Sequence, residues 1–153
     1  MTALLVLSAC SPASRCGPPQ GRVARVIDGD TLVLESGVKV RLLLVDTPEI
    51  TKGQHECYGT EAAAFTAAQV SGREVELGYD EAACTDRYGR TLAYVSVDGV
   101  ELNSQLLEGG FACLLFIPPG GEARRTALAT LEAEARRAGA GLWGRCSPSP
   151  CAR

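Results

Sequence analysis

The chain has 153 residues, the length of one domain, and at that size folding buries roughly 70% of the surface the unfolded chain exposes, so a core forms without cross-links. Apolar residues make up 46% and charged residues 22%, which excludes a disordered chain, and no apolar run approaches the ~18 residues of a membrane-spanning helix. With 15 basic residues against 18 acidic ones the net charge is −3, so no global positive field draws in a polyanion and any anionic ligand is held by local groups.

At the amino terminus Ala3, Leu4, Leu5, Val6 and Leu7 precede Ser8-Ala9-Cys10, small residues ahead of a cysteine as at the processing site of bacterial lipoproteins. Export follows from that reading, with lipid on Cys10 as a membrane anchor and residues 1–21 forming signal, lipid site and a tether rich in Ser, Pro and Gly. The plain alternative is an uncleaved, frayed terminus. Residues 22–27, 31–35 and 38–45 are rich in Val, Ile and Leu and are separated by Asp28-Gly29-Asp30 and Ser36-Gly37, which predicts three consecutive strands with tight turns. Asp-Gly is a strong hairpin signal because both central positions tolerate positive φ. Alanine-rich residues 60–70, with Thr60 as cap and Gly72 as stop, predict a helix. Alternation over 73–79 and β-rich residues at 91–97 give two more strands. Residues 102–108, closed by Gly109-Gly110, and 122–138, closed by Gly139, predict two further helices. In the second of these Leu128 and Leu131 form the apolar stripe, and Arg124, Arg125, Arg136 and Arg137 form a solvated face. Five short strands with a helix after the third predict an α+β fold, a five-stranded OB-type β-barrel with three α-helices over residues 22–144, followed by a Cys- and Pro-containing tail at 145–153.

Seven cysteines are many for a reducing compartment. Setting Cys10 aside leaves six, enough for three disulfides among 15 possible connectivities. No Cys-x-x-Cys occurs and His55 is the only histidine, so the sequence does not suggest a structural zinc site.

The chemistry sits in three segments. Asp28-Gly29-Asp30-Thr31 alone reads as a turn, Arg41-Leu42-Leu43-Leu44-Val45-Asp46-Thr47-Pro48-Glu49 as a strand with a solvated end, and Thr85-Asp86-Arg87-Tyr88-Gly89-Arg90 as a charged turn. In combination, Asp30, Asp46 and Glu49 offer hard oxygen ligands to calcium or magnesium, and the Thr47 carbonyl adds another. Their spacing is not that of an EF-hand, so the site must be assembled from separate segments. Arg41 and Arg90 are planar donors suited to bidentate binding of a phosphate whose equatorial oxygens gain charge during in-line attack. A cation, two arginines and a carboxylate base point to phosphodiester hydrolysis. The rival is a noncatalytic OB module binding nucleic acid or protein, which needs the arginines but not the carboxylates.

These segments, with Tyr58-Gly59-Thr60-Glu61-Ala62, Asp86-Arg87-Tyr88-Gly89-Arg90 and Gly141-Leu142-Trp143 in the same order, make residues 23–143 resemble the staphylococcal nuclease family. That resemblance implies an OB barrel with three helices that cuts DNA and RNA endonucleolytically with calcium and leaves 3′-phosphate ends. It implies Asp30, Asp46 and the Thr47 carbonyl as calcium ligands, with Glu49 near the metal through water and acting as base or as the group that orients water. Arg41 and Arg90 would clamp the scissile phosphate, and Arg87 and Tyr88 would contact the flanking one. Where the family has two tyrosines beside the nucleotide, this chain supplies Phe116 and Pro118, so the resemblance makes Phe116 the stacking residue, in a monomer without the family's basic surface. By the same family fold, Cys57 and Cys84 come to one rim and are expected to pair, followed by Cys113 with Cys146, leaving Cys16 with Cys151.

Overall fold

The computed structural model describes residues 14–51 and 53–151; Cys10 and the export segment around it lie outside the described residues. The elements run β1 (Gln20–Asp28), β2 (Thr31–Leu34), β3 (Lys39–Leu42), β4 (Val45–Asp46), α1 (Gly59–Val70), β5 (Glu74–Gly78) and β6 (Thr91–Val97). They continue through β7 (Val100–Glu101), α2 (Leu102–Glu108), β8 (Cys113–Leu114), α3 (Glu122–Ala138) and the single turn α4 (Leu142–Arg145). Strands β3, β2, β1, β5 and β6 are hydrogen-bonded in that order, and β3 also pairs with β6 in parallel, which closes the five-stranded barrel. One strand serves two neighbours. Gln20, Gly21 and Arg22 pair with β5, the rest of β1 pairs with β2, and register shifts bend the strand in between.

Side chains of β5 and β6 alternate because Val75, Leu77, Ala93, Val95 and Val97 point into the barrel. Helix α2 adds the fully buried Leu102, Leu106 and Leu107, each worth about 1.5–3 kcal/mol of burial, and α3 lays Leu128 and Leu131 against that core. Of the four α3 arginines, Arg125, Arg136 and Arg137 are exposed as a solvated face should be, and three of the four also cover aromatic rings. Arg124 pairs with Glu101 and lies 4.9 Å over the Tyr94 ring, Arg125 lies 4.6 Å over Phe116, and Arg136 lies 4.1 Å over Trp143.

The apolar run at 38–45 is not one strand. It breaks at Leu43-Leu44, both buried, with Leu44 at φ 61°, and Val45 and Asp46 turn out of the barrel to pair with Leu114 and Cys113. The break is held by Asn103 of α2, fully buried, whose amide donates to Leu43 O at 2.9 Å while its Oδ1 accepts Val95 N at 2.9 Å. Asn103→Ala strands both backbone groups without water, so denaturant unfolding should show a loss of about 2–4 kcal/mol. A loss below about 0.5 kcal/mol, the range of an ordinary surface substitution, would remove Asn103 from this role.

Three disulfides join six cysteines among the described residues, Cys16–Cys84, Cys57–Cys146 and Cys113–Cys151, and each corrects the expected pairing. The segment before β1 is tied down, with Pro19 O accepting Leu77 N at 2.8 Å and Pro18 O accepting the Tyr79 hydroxyl at 2.6 Å. Cys16 thereby reaches Cys84 and not the carboxy-terminal tail. Cys57 is drawn to α4 through a chain of contacts. Tyr58 stacks on Phe111 at 5.6 Å, and Gly110 O accepts Leu142 N at 2.8 Å, which brings Cys146 within a Cα separation of 5.9 Å. Cys113 in β8 then takes Cys151. With sequence separations of 68, 89 and 38, each bridge restrains the unfolded chain by at most about 4–5 kcal/mol.

Candidate active site

Asp28 and Thr31 pair across a two-residue turn of Gly29 and Asp30. The turn does not use positive φ at Gly29, contrary to the hairpin expectation. Glycine is required there for space, because a Cβ would lie 2.6–2.9 Å from the Thr47 side chain. That close approach carries Asp30 to Thr47, the residue after β4. Buried Asp30 accepts the Thr47 amide at 2.8 Å through Oδ2 and the Thr31 hydroxyl at 2.9 Å through Oδ1.

Arg41 stands opposite Thr31 on β2 and Leu92 on β6, with its side chain 10% exposed. Its Nη1 donates to Leu42 O at 2.8 Å and to Val45 O, and its Nη2 lies 3.2 Å from Asp30 Oδ2 and 3.0 Å from Asp46 Oδ1. In a straight strand residues 41 and 46 would stand about 16 Å apart on opposite faces. The break at Leu43-Leu44 is what folds Asp46 back onto Arg41.

Glu49 lies in the loop leading to α1. Gly59 lets the helix start against that loop, since a Cβ would meet Ile50 Cγ2 at 2.5 Å and Pro48 O at 2.9 Å. The helix begins there without a side-chain cap, one residue before the expected Thr60. Glu56 fastens the loop further, its Oε2 accepting Glu49 N at 2.7 Å and its amide donating to Glu49 O at 2.9 Å. Oε1 of Glu49 accepts Ile50 N at 3.0 Å, Thr51 N at 2.7 Å and the Thr51 hydroxyl at 2.5 Å.

Arg90 precedes β6 at the base of the Asp86–Arg90 turn. Its Nε donates to Asp86 Oδ2 at 2.6 Å and its Nη1 to the Thr31 hydroxyl at 3.3 Å. Burial works against the charge on Asp86, but hydrogen bonds from the Arg90 amide, the Arg90 guanidinium and the Tyr88 amide outweigh it and hold the carboxyl below its ordinary range. Exposed Tyr88 receives Arg87 Nη2 on its hydroxyl at 2.7 Å, with the Arg87 guanidinium 4.8 Å over the ring.

A cleft of about 780 Å³ opens between this turn and the segment after β8. Arg41, Asp46, Arg87, Tyr88 and Arg90 line one side, and Leu115, Ile117, Pro118 and Pro119 the other. Phe116 is absent from that lining. It packs toward the core beneath Arg125, while its neighbours Leu115 and Ile117, 38% and 66% exposed, face the opening. Alternation around β8 reverses the expected facing, and the sequence reading missed both aliphatic residues because it looked for an aromatic. Asp30 and Thr47 stand behind the cleft wall, joined to it through Arg41, and Glu49 lies on the side of Asp28.

Among the described residues no three His, Cys, Asp or Glu side chains form a ready-made metal cluster. The donor set still suits a hard cation completed by carbonyl and water oxygens, because calcium takes six to eight of them. Two observations support the fit. Thr47 Oγ1 is buried with no hydrogen-bond partner among the described residues. Asp28 is pushed up to about 7 by burial, by Asp30 and by Glu49, which marks a crowd of carboxylates that a dication relieves.

The pattern of the family described as Staphylococcal nuclease homologue matches residues 39–145. An uncharacterized protein of Bacillus anthracis is 37% identical over 129 residues, 81% of this chain and 60% of that protein. A thermonuclease of Staphylococcus intermedius is 37% identical over 128 residues, 80% of this chain and 75% of that protein. Endonuclease YncB of Bacillus subtilis is 42% identical over 99 residues, 61% of this chain and 46% of that protein. The chain thus spans between about half and three quarters of the length of these relatives.

Proposed function

The chain belongs to the staphylococcal nuclease homologue family, and from that footing we propose that it is a calcium-dependent endonuclease that hydrolyses phosphodiester bonds in DNA and RNA and leaves 3′-phosphate ends. The observation that carries this reading is the coupling of two distant arginines to one carboxylate. Asp30 meets Arg41 directly at 3.2 Å and Arg90 through the Thr31 hydroxyl.

Arg41 and Arg90 bind the oxygens of one phosphate and oppose the charge that grows on them as water attacks in line. Glu49 acts on that water, taking its proton or aligning it for transfer to solvent. The new oxygen–phosphorus bond forms as the bond from phosphorus to the 5′ oxygen breaks, and the 5′ oxygen leaves as a hydroxyl after taking a proton from solvent. Arg87 and Tyr88 bind the neighbouring nucleotide's phosphate, with Leu115 and Ile117 giving its base an apolar wall. Asp30, Asp46 and the Thr47 carbonyl would hold calcium, with Glu49 near it through water, and the bound cation would supply positive charge against the phosphate. Three disulfides support an oxidising compartment, hence export, with Cys10 as the lipid-bearing residue if anchored.

Incubation of the purified chain with plasmid DNA tests the reading. Calcium should support cutting, and excess chelator should stop it while the circular dichroism of the fold persists, because the core and disulfides do not depend on the ligands. Cutting in excess chelator, or full recovery with magnesium alone, rejects calcium. No cutting with any divalent cation rejects the nuclease.

A further inference from the structure

We propose that Thr31 is a positioning residue, its hydroxyl setting Arg90 against Asp30 and thereby fixing the spacing of the two phosphate-binding arginines. The role rests on the nuclease reading above. Thr31 opens β2 and is 3% exposed. A hydroxyl has one proton to give and lone pairs to receive with, and here it donates to Asp30 Oδ1 at 2.9 Å while accepting Arg90 Nη1 at 3.3 Å. The other oxygen of Asp30 lies 3.2 Å from Arg41 Nη2. One carboxylate and one hydroxyl therefore bridge the two guanidiniums.

Backbone register places the bridge. Thr31 is opposite Arg41, Arg41 is opposite Leu92, and Val40 is opposite Thr91, the residue after Arg90, so the three side chains rise from adjacent strands. Behind Arg90, Asp86 holds Nε at 2.6 Å. The Tyr88 ring centroid lies 5.5 Å from the Arg90 Cζ on one face, and the contact to Thr31 fixes the far end of the guanidinium. Threonine suits the task because its β-branched side chain has few χ1 choices.

Two variants separate hydroxyl from shape. Thr31→Val keeps the branching and deletes the hydrogen bonds, and Thr31→Ser does the reverse. Thr31→Val should lower kcat on single-stranded DNA by about 10–100-fold, the scale of a misplaced catalytic group, with Thr31→Ser within about threefold of the parent. Because the effect passes through Arg90, Thr31→Val should cost nothing more in an Arg90→Ala background. The same four proteins are titrated with an oligothymidylate in excess chelator, where nothing turns over. Thr31→Val should weaken binding by about 3–10-fold in the parent and not at all in Arg90→Ala. If the parent cuts no DNA, the nuclease reading falls while the affinity cycle still decides the link. The proposal is overturned if Thr31→Val stays within about twofold of the parent in affinity, or if its effect multiplies with that of Arg90→Ala. Failure of Thr31→Ser to recover kcat, with its melting temperature unchanged, overturns it as well.

Discussion

Glu49→Gln is expected to lower turnover on single-stranded DNA by about 10²–10⁴-fold while affinity for an oligonucleotide stays within about threefold of the parent. The structure makes this substitution mild everywhere except in the chemistry. Oε1 of Glu49 accepts the Ile50 amide, the Thr51 amide and the Thr51 hydroxyl, and an amide oxygen accepts the same three bonds, so the loop should keep its shape. What disappears is a negative charge and a base. The charge is one that Asp28 feels as repulsion. A barrel that only bound nucleic acid would behave differently, with no turnover in the parent and tighter binding in Glu49→Gln. Turnover within about threefold of the parent would remove Glu49 from the mechanism.

Much of this molecule is legible in the sequence, and what is legible is local. Helices α2 and α3 run as their apolar residues and closing glycines predict, and β5 as its alternation does, because each signal is carried within a few residues. The break at Leu43-Leu44 is not legible. Arg41-Leu42-Leu43-Leu44-Val45 is a continuous apolar run with no period to interrupt, and the feature that breaks it is Asn103, which lies on another element. Since that break brings Asp46 to Arg41, candidate residues can be named from the sequence while their geometry cannot. The disulfides fail for the same reason. Cys57 finds Cys146 through Tyr58, Phe111 and Gly110, a chain of contacts made only once α1, β8 and α4 are packed. Facing at Phe116 is likewise not legible: a one-residue difference in phase puts its ring under Arg125 and Leu115 and Ile117 at the cleft.

Arg41→Ala and Arg90→Ala should each lower turnover by about 10²–10³-fold or more, the cost of removing a preorganised donor, yet they should differ in every other measurement. Arg41 has a side chain only 10% exposed, with Nη1 on the carbonyls of Leu42 and Val45 and Nη2 between Asp30 and Asp46. Its removal takes the guanidinium from beside Asp46 and from beside the buried Asp30, which keeps only the neutral bonds from the Thr47 amide and the Thr31 hydroxyl, so without calcium the chain should lose about 3–5 kcal/mol of stability. Arg90 is 27% exposed, and its partner Asp86 keeps hydrogen bonds from the amides of Tyr88 and Arg90, so Arg90→Ala should cost about 1 kcal/mol. Lysine should rescue turnover at neither position. At Arg41 one ammonium cannot span four acceptors arranged on two nitrogens, and at Arg90 it cannot hold Asp86 and Thr31 together while reaching a phosphate. Calcium affinity gives the sharper contrast. The Arg41 charge and a cation draw on the same oxygens of Asp30 and Asp46, so Arg41→Ala should bind calcium more tightly than the parent and regain stability when calcium is added. Arg90→Ala, whose nearest carboxylate is Asp86, should bind calcium about as the parent does. Calorimetric titration with calcium and denaturant unfolding with and without it measure both effects. If Arg41→Ala binds calcium more weakly than Arg90→Ala, Asp30 and Asp46 are not the calcium ligands, and those carboxylates serve to hold the arginine alone.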